Sequence, residues 1–489
     1  MGLRVGRRGA TGALYNEKRQ PPQSAVVCCQ KGVLPGMVFD PAVYTEFRYL
    51  AARISPENGT VHFEFALVSD DRVESFTEVL HFTPVRAGHS VDWPRVRGLV
   101  VILGAVIGLS YYKAAAPPRY VIATEGMTEA GLSYLAEVLT HGLAEFAYRN
   151  GFDSLLRPEI VVTSAVSEPW PDDTHLTPDG DPLVPIGGGK DSVVSVELLA
   201  AARMHPVQFA VNPNRVIYRV GRIKGHPVIA ARRELDENIL RLNRDGALNG
   251  HVPVTAINSL IALVQARIIG LGPVVMSLEA SASEPTLVWN GVGVNHQWSK
   301  SEAAEELLQD MLGPQAGLSR GAYFSLLRPY SEIQIARYFA ALREYHPVIN
   351  SCNRAFRHGV DDARWCGDCD KCRFIFLILS PFIPSTALTR MFADNLLDNP
   401  SQIEGYRALL GLHEHRPFEC VGEQAESMVA LTWVAAQESW SNTVVVRALI
   451  AEIPELTKPH PDLEAQVLGH RHSPIPMPGA YESLGAPLA

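Results

Sequence analysis

The sequence predicts an α/β fold built on a doubly wound parallel sheet, and two observations support this. After Leu183, short apolar runs alternate with helical segments: a strand, a helix ending near Met204, then "HPVQFAVNP", "VTAINSLIALVQARIIG" and "PVVMSLEA". Such alternation is typical of parallel sheets whose crossover helices cover both faces. The second observation is a glycine loop, "PIGGGKDSVVSVELL", between the first strand and the first helix. Open α/β sheets bind ligands beyond the carboxyl ends of their strands, where this loop falls.

The chain has 489 residues, 47% of them hydrophobic, which suits several packed domains. An N-terminal α+β domain is expected, because "ISPENGT" separates two alternating runs between Tyr49 and Leu67, and a helical pattern begins at Thr128. The predicted segments are a disordered leader at 1–36, this α+β domain at 37–165, a catalytic α/β domain at 166–400, a helical C-terminal part at 401–457 and a mobile tail at 458–489.

Charge and cysteine usage narrow the class of protein. The chain carries 43 basic and 52 acidic residues, so its net charge of −9 makes a nucleic-acid partner unexpected. The apolar run at 98–112 is shorter than the roughly 20 residues of a membrane span, and we expect it to be buried without a membrane partner. The seven cysteines are clustered rather than paired, and no secretory signal is apparent. We therefore predict a cytoplasmic protein with reduced thiols.

The glycine loop has the composition of a phosphate site. Gly187, Gly188 and Gly189 allow successive backbone N–H groups to point into one concavity, and the following helix adds its positive end. Lys190 and Ser192 can bind phosphate oxygens, whereas Asp191 suits a Mg²⁺ ion beside them. The alternative is a plain strand–helix turn with Asp191 as the helix N-cap.

The cysteine cluster predicts a metal site. "WCGDCDKC" supplies Cys366, Cys369 and Cys372, and Cys352 lies upstream. Four thiolates with this spacing can close a tetrahedral Zn²⁺ site, which we expect to be structural. A 4Fe–4S cluster and a set of reduced structural thiols are the alternatives.

Further polar residues follow two predicted elements. His251 precedes the apolar helix, and Glu279, His296 and Lys300 lie in a polar stretch after the next strand. A loop of this kind beyond a strand end is a candidate substrate rim, and a solvated loop or helix cap is the alternative for each residue. "SEAAEELL" predicts an amphipathic helix with Ser301 as its cap.

The glycine loop resembles the S-G-G-x-D-S pattern of the PP-loop, or N-type ATP pyrophosphatase, superfamily, with Gly187 in place of the leading serine. That resemblance implies a PP-loop sheet and cleavage of ATP between its α and β phosphates, with transfer of AMP to a substrate oxygen. The cysteine cluster resembles the zinc site of 7-cyano-7-deazaguanine synthases, which belong to the same superfamily. Another PP-loop adenylating enzyme, of deazaguanine or tRNA-modifying type, and a non-catalytic nucleotide-binding regulator are the alternatives.

A more specific resemblance covers residues 40–455. The motifs that carry it are "GLSYYKAAAP", "GLAEFAYRNGF", the glycine loop, "GHVPVTAINSLIAL", "EASASEPTLVWNGVGVNHQWSKS", "WCGDCDKCRFIFLILSPF" and "RPFECVGE". In this order they resemble the MurL family, the UDP-N-acetyl-α-D-muramoyl-L-alanyl-L-glutamate epimerases of peptidoglycan precursor synthesis. One departure is Leu278-Glu279-Ala280, where the family pattern has Asn-Glu-Arg.

The resemblance implies that the terminal L-glutamate of UDP-MurNAc-L-Ala-L-Glu is converted to D-glutamate through an acyl-adenylate, with AMP and pyrophosphate released. ATP and Mg²⁺ are the implied cofactors, and no pyridoxal phosphate lysine motif is present. The glycine loop, Lys190 and Ser192 would bind pyrophosphate, and Lys300 would contact phosphate or the substrate carboxylate. Candidates for the acid and base are Glu279, His251, His296 and Cys420. The oligomeric state stays open.

Overall fold

One ten-stranded, mostly parallel sheet runs through the computed structural model, which describes residues 39–85, 88–354, 364–412, 417–419, 421–469 and 475–489. The predicted leader and Cys420 lie outside the described residues. In the described residues the strands are β1 (Glu46–Ser55), β2 (Thr60–Val68), β3 (Val73–His81), β4 (Arg119–Ile122), β5 (Glu159–Val162), β6 (Leu183–Pro185), β7 (Val207–Val211), β8 (Val228–Glu234), β9 (Val274–Met276), β10 (Leu287–Trp289), β11 (Val292–Val294) and β12 (Tyr323–Ser325). The predicted α/β class is therefore confirmed.

The strand order in the large sheet is β12-β9-β6-β7-β8-β3-β2-β1-β4-β5, and β10 and β11 form a separate hairpin. The pairs from β12 to β8 are all parallel. The chain leaves β6 for β7 and β8 on one side, and later returns to β9 on the other side. Strand order therefore reverses at β6, and a crevice opens at such a point in α/β sheets.

Helices cover both faces of this parallel region. In the described residues they are α1 (Trp93–Ile107), α2 (Leu109–Tyr112), α3 (Glu129–Gly142), α4 (Ala144–Arg149), α5 (Lys190–Ala201), α6 (Arg215–Gly221), α7 (Glu237–Arg244), α8 (Val254–Ile269), α9 (Glu302–Ala316), α10 (Glu332–Ala340), α11 (Asp370–Leu379), α12 (Ser385–Phe392), α13 (Ile403–Leu409), α14 (Gln424–Ala435), α15 (Glu438–Ser441), α16 (Val444–Glu452), α17 (Pro461–Leu468) and α18 (Gly479–Glu482). Successive strand residues belong to different core clusters: Leu183 packs with α1 and α8, whereas Val184 packs with α5 and α11. Because side chains alternate across a strand, the two cores lie on opposite faces.

The N-terminal strands add an antiparallel extension to the same sheet. The predicted hairpin is confirmed as β1 and β2, and Val61, Phe63, Phe65 and Leu67 are all buried. Strands β3 and β8, which were not predicted, pair antiparallel and join this part to the parallel region. At that seam Glu78, fully buried, accepts a 2.5 Å hydrogen bond from Nε of Arg233. The strands of the two predicted domains thus share one sheet.

A helical segment of 20 residues, Trp93–Tyr112, is long and apolar enough to cross a membrane by length and composition alone. The apolar segment is thus longer than the predicted run of 98–112, because the helix begins five residues earlier, at Trp93. Most of the segment is buried in the fold. Gly104 and Gly108 bring it close to the sheet, since a Cβ at either position would lie within 2.5 Å of the hydroxyl oxygen of Tyr49 or Tyr120. This packing accounts for the apolar composition.

The C-terminal region is helical from α13 to α16, as the sequence predicts. Parts of the Pro-rich segment after Lys458 also pack onto the core. Val467 and Leu488 are almost fully buried, and Arg337 donates hydrogen bonds to the carbonyl oxygens of Leu488 and Ala489.

Candidate functional site

A cavity of about 330 Å³ lies at the carboxyl ends of β6, β7 and β9, where strand order reverses. This volume is at the lower end of the range of small-molecule sites. The lining residues come from strand ends, the glycine loop, α8, and segments near the cysteine cluster: Pro185, Ile186, Gly187, Gly189, Asp191, Ser192, Phe209, Ala210, Val211, Thr255, Asn258, Met276, Ser277, Leu278, Lys300, Ser351, Asn353 and Lys371. The predicted location beyond the strand ends is therefore where a cavity is found.

The glycine loop turns sharply into α5. Gly188 has φ +82°, its carbonyl oxygen accepts a 2.9 Å hydrogen bond from the N–H of Asn350, and a Cβ there would lie 3.2 Å from Val216. The position therefore requires glycine for both backbone conformation and space. Gly189 is the N-cap of α5 and provides no side-chain cap, so the first N–H groups of the helix depend on other partners. Asp191 lies in the first turn of α5, and so the alternative prediction of an Asp191 N-cap is wrong.

A buried ion cluster lies under the loop. The ammonium of Lys190, with its side chain 1% exposed, forms salt bridges with Asp191 and with Glu332 of α10. Burial raises the pKa of Glu332 to about 7, with Asp191 and Glu279 adding to the rise. Burial opposes ionisation of Asp191 too, but Lys190, Lys371 and Lys300 lower its pKa below the ordinary value. Asp191 is therefore an anion at the cavity wall, whereas Lys190 does not line the cavity.

Two cations do line the cavity. Lys300 was a predicted contact, and Lys371 was missed by the sequence analysis. Both lower the pKa of Asp191, so their charges act on the same region. The signal for Lys371 was present in the sequence, since this residue lies inside the "CDKC" motif that was assigned only to metal binding. A carboxylate and two lysines that line one cavity suit a metal–phosphate complex.

A second buried ion pair holds the polar loops in place. Arg328 donates from Nη2 to Oε2 of Glu305 at 2.7 Å, and both residues are nearly inaccessible to water. The same guanidinium donates to the carbonyl oxygens of Glu279 and Lys300, each at 2.7 Å. Two predicted site loops are thus fixed by one arginine, which no sequence motif identifies. The side chain of Glu279 is buried but does not line the cavity.

The structure brings together His251, His296 and Glu145. Nδ1 of His296 lies 2.5 Å from Oε2 of Glu145, and Nδ1 of His251 lies 3.8 Å from the same oxygen. The two imidazole rings are 4.7 Å apart between centroids. Glu145 lies on α4, far from both histidines in sequence, so neither spacing nor composition could identify it. On the other side, Arg149 donates to Oε1 of Glu145 at 2.6 Å.

The four cysteine sulfurs also converge. Cys369 Sγ lies 3.9 Å from that of Cys352 and 3.5 Å from that of Cys372, and Cys366 Sγ lies 3.7 Å from that of Cys372. Tetrahedral zinc with Zn–S bonds of about 2.3 Å would place sulfurs roughly 3.8 Å apart, so the four residues fit that ion. The cluster adjoins the cavity, because Ser351 and Asn353 flank Cys352, and Lys371 lies between two of the other cysteines.

Comparisons with known proteins identify the family. The description "MurL N-terminal domain" matches residues 38–326, and "MurL C-terminal domain" matches residues 348–464. The chain is similar to proteins named UDP-N-acetyl-alpha-D-muramoyl-L-alanyl-L-glutamate epimerase from three bacteria. It is 46% identical to that of Micromonospora sp. (84% of this chain, 91% of the relative), 48% to that of Salinispora tropica (81% and 86%) and 36% to that of Xanthomonas oryzae pv. oryzae (88% and 94%). No solved structure gives a significant match. On this sequence similarity, the chain belongs to the MurL family.

Proposed function

We propose that this protein is an ATP-dependent epimerase of peptidoglycan precursor synthesis. Its substrate would be UDP-MurNAc-L-Ala-L-Glu, whose terminal glutamate is inverted to the D configuration. The names of the relatives support this reaction. The observation that carries the ATP-dependent part is the cavity at the strand ends, where the glycine loop, Asp191, Lys300 and Lys371 meet. A PP-loop type of sheet and a cytoplasmic location belong to the same proposal.

The chemistry requires activation of the substrate because the α-proton of a free glutamate is very weakly acidic. Removing it would place a second negative charge beside the carboxylate. In the proposed reaction, a carboxylate oxygen attacks the α-phosphorus of ATP, the bond to the β-phosphate breaks, and pyrophosphate leaves. In the acyl-adenylate the former carboxylate is an uncharged acyl group, and the α-proton beside it is then lost to a general base. A proton is added to the opposite face, and water hydrolyses the acyl-adenylate to the D-glutamate carboxylate and AMP.

Different residues of the candidate site would carry out different parts of this reaction. Gly187, Gly189 and Ser192 line the cavity just before and at the start of α5. The N–H groups of Gly187, Gly188 and Gly189 would bind pyrophosphate oxygens there, together with Ser192. Asp191 would hold Mg²⁺, which supplies positive charge to the leaving group. Lys300 and Lys371 would bind phosphate oxygens.

Lys190 takes a different part in this proposal from its predicted phosphate contact. Its buried ammonium would orient Asp191 and compensate the charge of Glu332, since both carboxylates form salt bridges with it. Loss of this cation would leave two buried carboxylates without their partner.

The cysteine cluster would hold one structural Zn²⁺ ion. Four thiolates leave no open coordination position, so the ion would take no part in the reaction. Its effect would be structural, because it would hold two cavity-lining segments, Ser351–Asn353 and Lys371, in fixed positions relative to each other.

The test is incubation with ATP, Mg²⁺ and UDP-MurNAc-L-Ala-L-Glu, with measurement of AMP and chiral analysis of the terminal glutamate. We expect AMP release that depends on the dipeptide substrate, together with D-glutamate. AMP release without inversion would mean that the carboxylate is activated for another acceptor. Release driven by tRNA or a deazaguanine precursor, and not by the muramoyl dipeptide, would favour another adenylating enzyme.

A further inference from the structure

We propose that His251 is the catalytic base that removes the α-proton, that Glu145 and His296 position it, and that Lys300 connects it to the nucleotide. The proposal rests on the proposed function and assigns the proton transfer that the family comparison leaves open. It assigns the base on one face of the α-carbon of the substrate glutamate.

The cluster lies beside the cavity. His251 is three residues before the start of α8, and the first turns of that helix place Thr255 and Asn258 in the cavity wall. His296 is four residues before Lys300, which lines the same cavity. His251 and His296 are partly buried, 24% and 17% exposed, whereas Glu145 is 6% exposed. Neither histidine lines the cavity itself, so in this proposal the substrate glutamate extends from the cavity towards them, and Glu145 acts through the two rings.

The contacts are those of an oriented base. Both Nδ1 atoms face one oxygen of Glu145, so the Nε2 atom of each ring is directed away from the carboxylate. The 2.5 Å contact of Glu145 is with Nδ1 of His296, whereas Nδ1 of His251 lies 3.8 Å away, beyond hydrogen-bond distance, so the carboxylate acts on His251 through its charge. That charge favours the N–H at the Nδ1 side, leaves Nε2 as proton acceptor and stabilises the imidazolium that forms. Arg149 fixes the other oxygen of Glu145. The ring of His296 contacts that of His251 and limits its rotation.

His251 is neutral before the reaction. Burial, together with His296, Lys300 and Lys113, lowers its pKa to about 4 against the opposing effect of Glu145. A neutral imidazole can accept a proton at neutral pH, but one with this pKa is a weak base. Lys300 is the cation that nucleotide phosphate would neutralise. Phosphate binding would therefore raise the basicity of His251 at the stage when the substrate has been activated.

In the proposed step, the bond between the α-carbon and its hydrogen breaks, and the proton moves to Nε2 of His251. The electron pair enters the acyl carbonyl as an enolate. The opposite face receives a proton from a second acid that exchanges its proton with water, and His251 later returns its own proton to water. No oxidant or reductant is needed.

The experiment measures three signals in D₂O with ATP, Mg²⁺ and the muramoyl dipeptide: AMP release, deuterium at the α-carbon, and glutamate configuration. The variants are His251→Gln and Glu145→Gln, and His205→Gln is the control because His205 is exposed and lies outside the cavity. For His251→Gln we expect AMP release within about threefold of the parent and inversion lowered by 10²-fold or more, the usual contribution of a general base.

Comparing the two epimers gives a sharper result. A base on one face should be needed for deuterium exchange with one epimer only, so His251→Gln should exchange the α-proton of one epimer and not of the other. Normal exchange with both epimers, loss with both, or loss of AMP release in this variant would overturn the assignment. If the parent protein releases no AMP, the proposed function fails instead.

Glu145→Gln tests positioning. The groups that face His251 are His296, Glu145, Lys300 and Lys113, and Arg149 contacts Glu145. Without the carboxylate, the acid limb of the inversion rate should move to lower pH, because the imidazolium loses its partner, while AMP release keeps its profile. An unchanged profile for inversion would contradict the role of Glu145. A metal ion bound at the three side chains, and lost in both variants, would overturn the proposal.

Discussion

At the scale of single residues, the site depends on charges whose partners are distant in sequence. Lys190 looks like the phosphate-binding lysine of the loop, yet its ammonium is buried between Asp191 and Glu332. The positive charge that lines the cavity comes from Lys300 and Lys371, although Lys371 is also buried. A lysine beside a phosphate loop is therefore insufficient to establish a phosphate contact, because the ion-pair partners of its ammonium decide whether it lines the cavity.

Lys371→Ala should slow adenylation. The change removes one of two cavity cations, and a hydrogen bond to a charged group contributes about 1.5–3 kcal/mol. We expect pyrophosphate release at limiting ATP to fall by about tenfold to a hundredfold. Lys458→Ala is the control, since Lys458 is exposed and outside the cavity. Equal rates for the two variants would remove Lys371 from the site.

The lowered pKa of His251 predicts that the folded protein loses stability at acidic pH. Its folded-state pKa of about 4 lies below the ordinary value of 6.5, so between these values the unfolded chain binds a proton that the folded chain does not. The stabilisation is therefore present above pH 6.5 and lost as pH falls towards 4, by up to about 3 kcal/mol. The thermal midpoint of the parent should fall more steeply from pH 7 to pH 5 than that of His251→Gln. Parallel curves would contradict the burial of a neutral imidazole.

At the scale of elements, the sequence predicted much of the fold. The helix–strand alternation, the hairpin and the Ser301 cap of α9 could be assigned because local patterns determine them, and Ser301 Oγ accepts from the N–H of Ala304 as expected. β3 and β8 were missed because their pairing joins residues about 150 positions apart. Glu145 and Arg328 were missed for the same reason, since their partners are set by tertiary contacts.

The C-terminal segment 458–489 shows that composition alone is a poor guide to mobility. Segment 458–489 is rich in Pro, His and Gly, which predicts mobility, but a few apolar side chains such as Val467 and Leu488 find places in the core. The overall composition of a segment does not reveal such single residues, although each of them can hold the segment against the core.

Gly188→Ala should impair both stability and adenylation. A positive φ costs a non-glycine residue about 1–2 kcal/mol, and the new Cβ would press on Val216 and the Asn350 carbonyl. Gly225→Ala is the matched control, because Gly225 has φ +75° with open space around it and lies outside the cavity. Both variants should lower the thermal midpoint, and only Gly188→Ala should also raise the KM for ATP. A normal KM for Gly188→Ala would separate the loop from nucleotide binding.

Cys372→Ser should remove the metal and loosen the cavity. We expect metal analysis to find about one zinc per chain in the parent and less in the variant, together with a higher KM for ATP, because Lys371 and Ser351 would lose their common support. Cys28→Ser, a thiol outside the cluster, should retain zinc. Protein that contains neither zinc nor iron in either case would show that the cluster holds no metal as purified.

At the scale of the whole molecule, the antiparallel pairing of β3 with β8 makes one sheet out of two predicted domains. The buried Glu78–Arg233 pair lies at this seam, and Arg233 also donates to Ser110 at 3.0 Å. The seam therefore transmits the stability of the N-terminal strands to the sheet that carries the cavity.

Glu78→Gln should destabilise the protein as a unit. Removing one partner leaves a buried guanidinium without its counter-charge, at a cost of about 3–5 kcal/mol. We expect a single thermal transition at a lower midpoint, with helix and strand signals lost together. Replacing both partners, Glu78→Gln with Arg233→Met, should recover part of that loss. Two separate transitions in the single variant would mean that the seam does not couple the parts.

The cavity has a consequence for how such a gene can change over time. Its glycine loop and Lys300 come from the segment matched as the N-terminal domain, whereas Ser351, Asn353 and Lys371 come from the segment matched as the C-terminal domain. If the chain were split between these two segments, each half would lack the cavity-lining residues that the other half carries. Gene fission would therefore require both products to be inherited together and to reassociate, and domain shuffling could not pass on the complete cavity with either half alone.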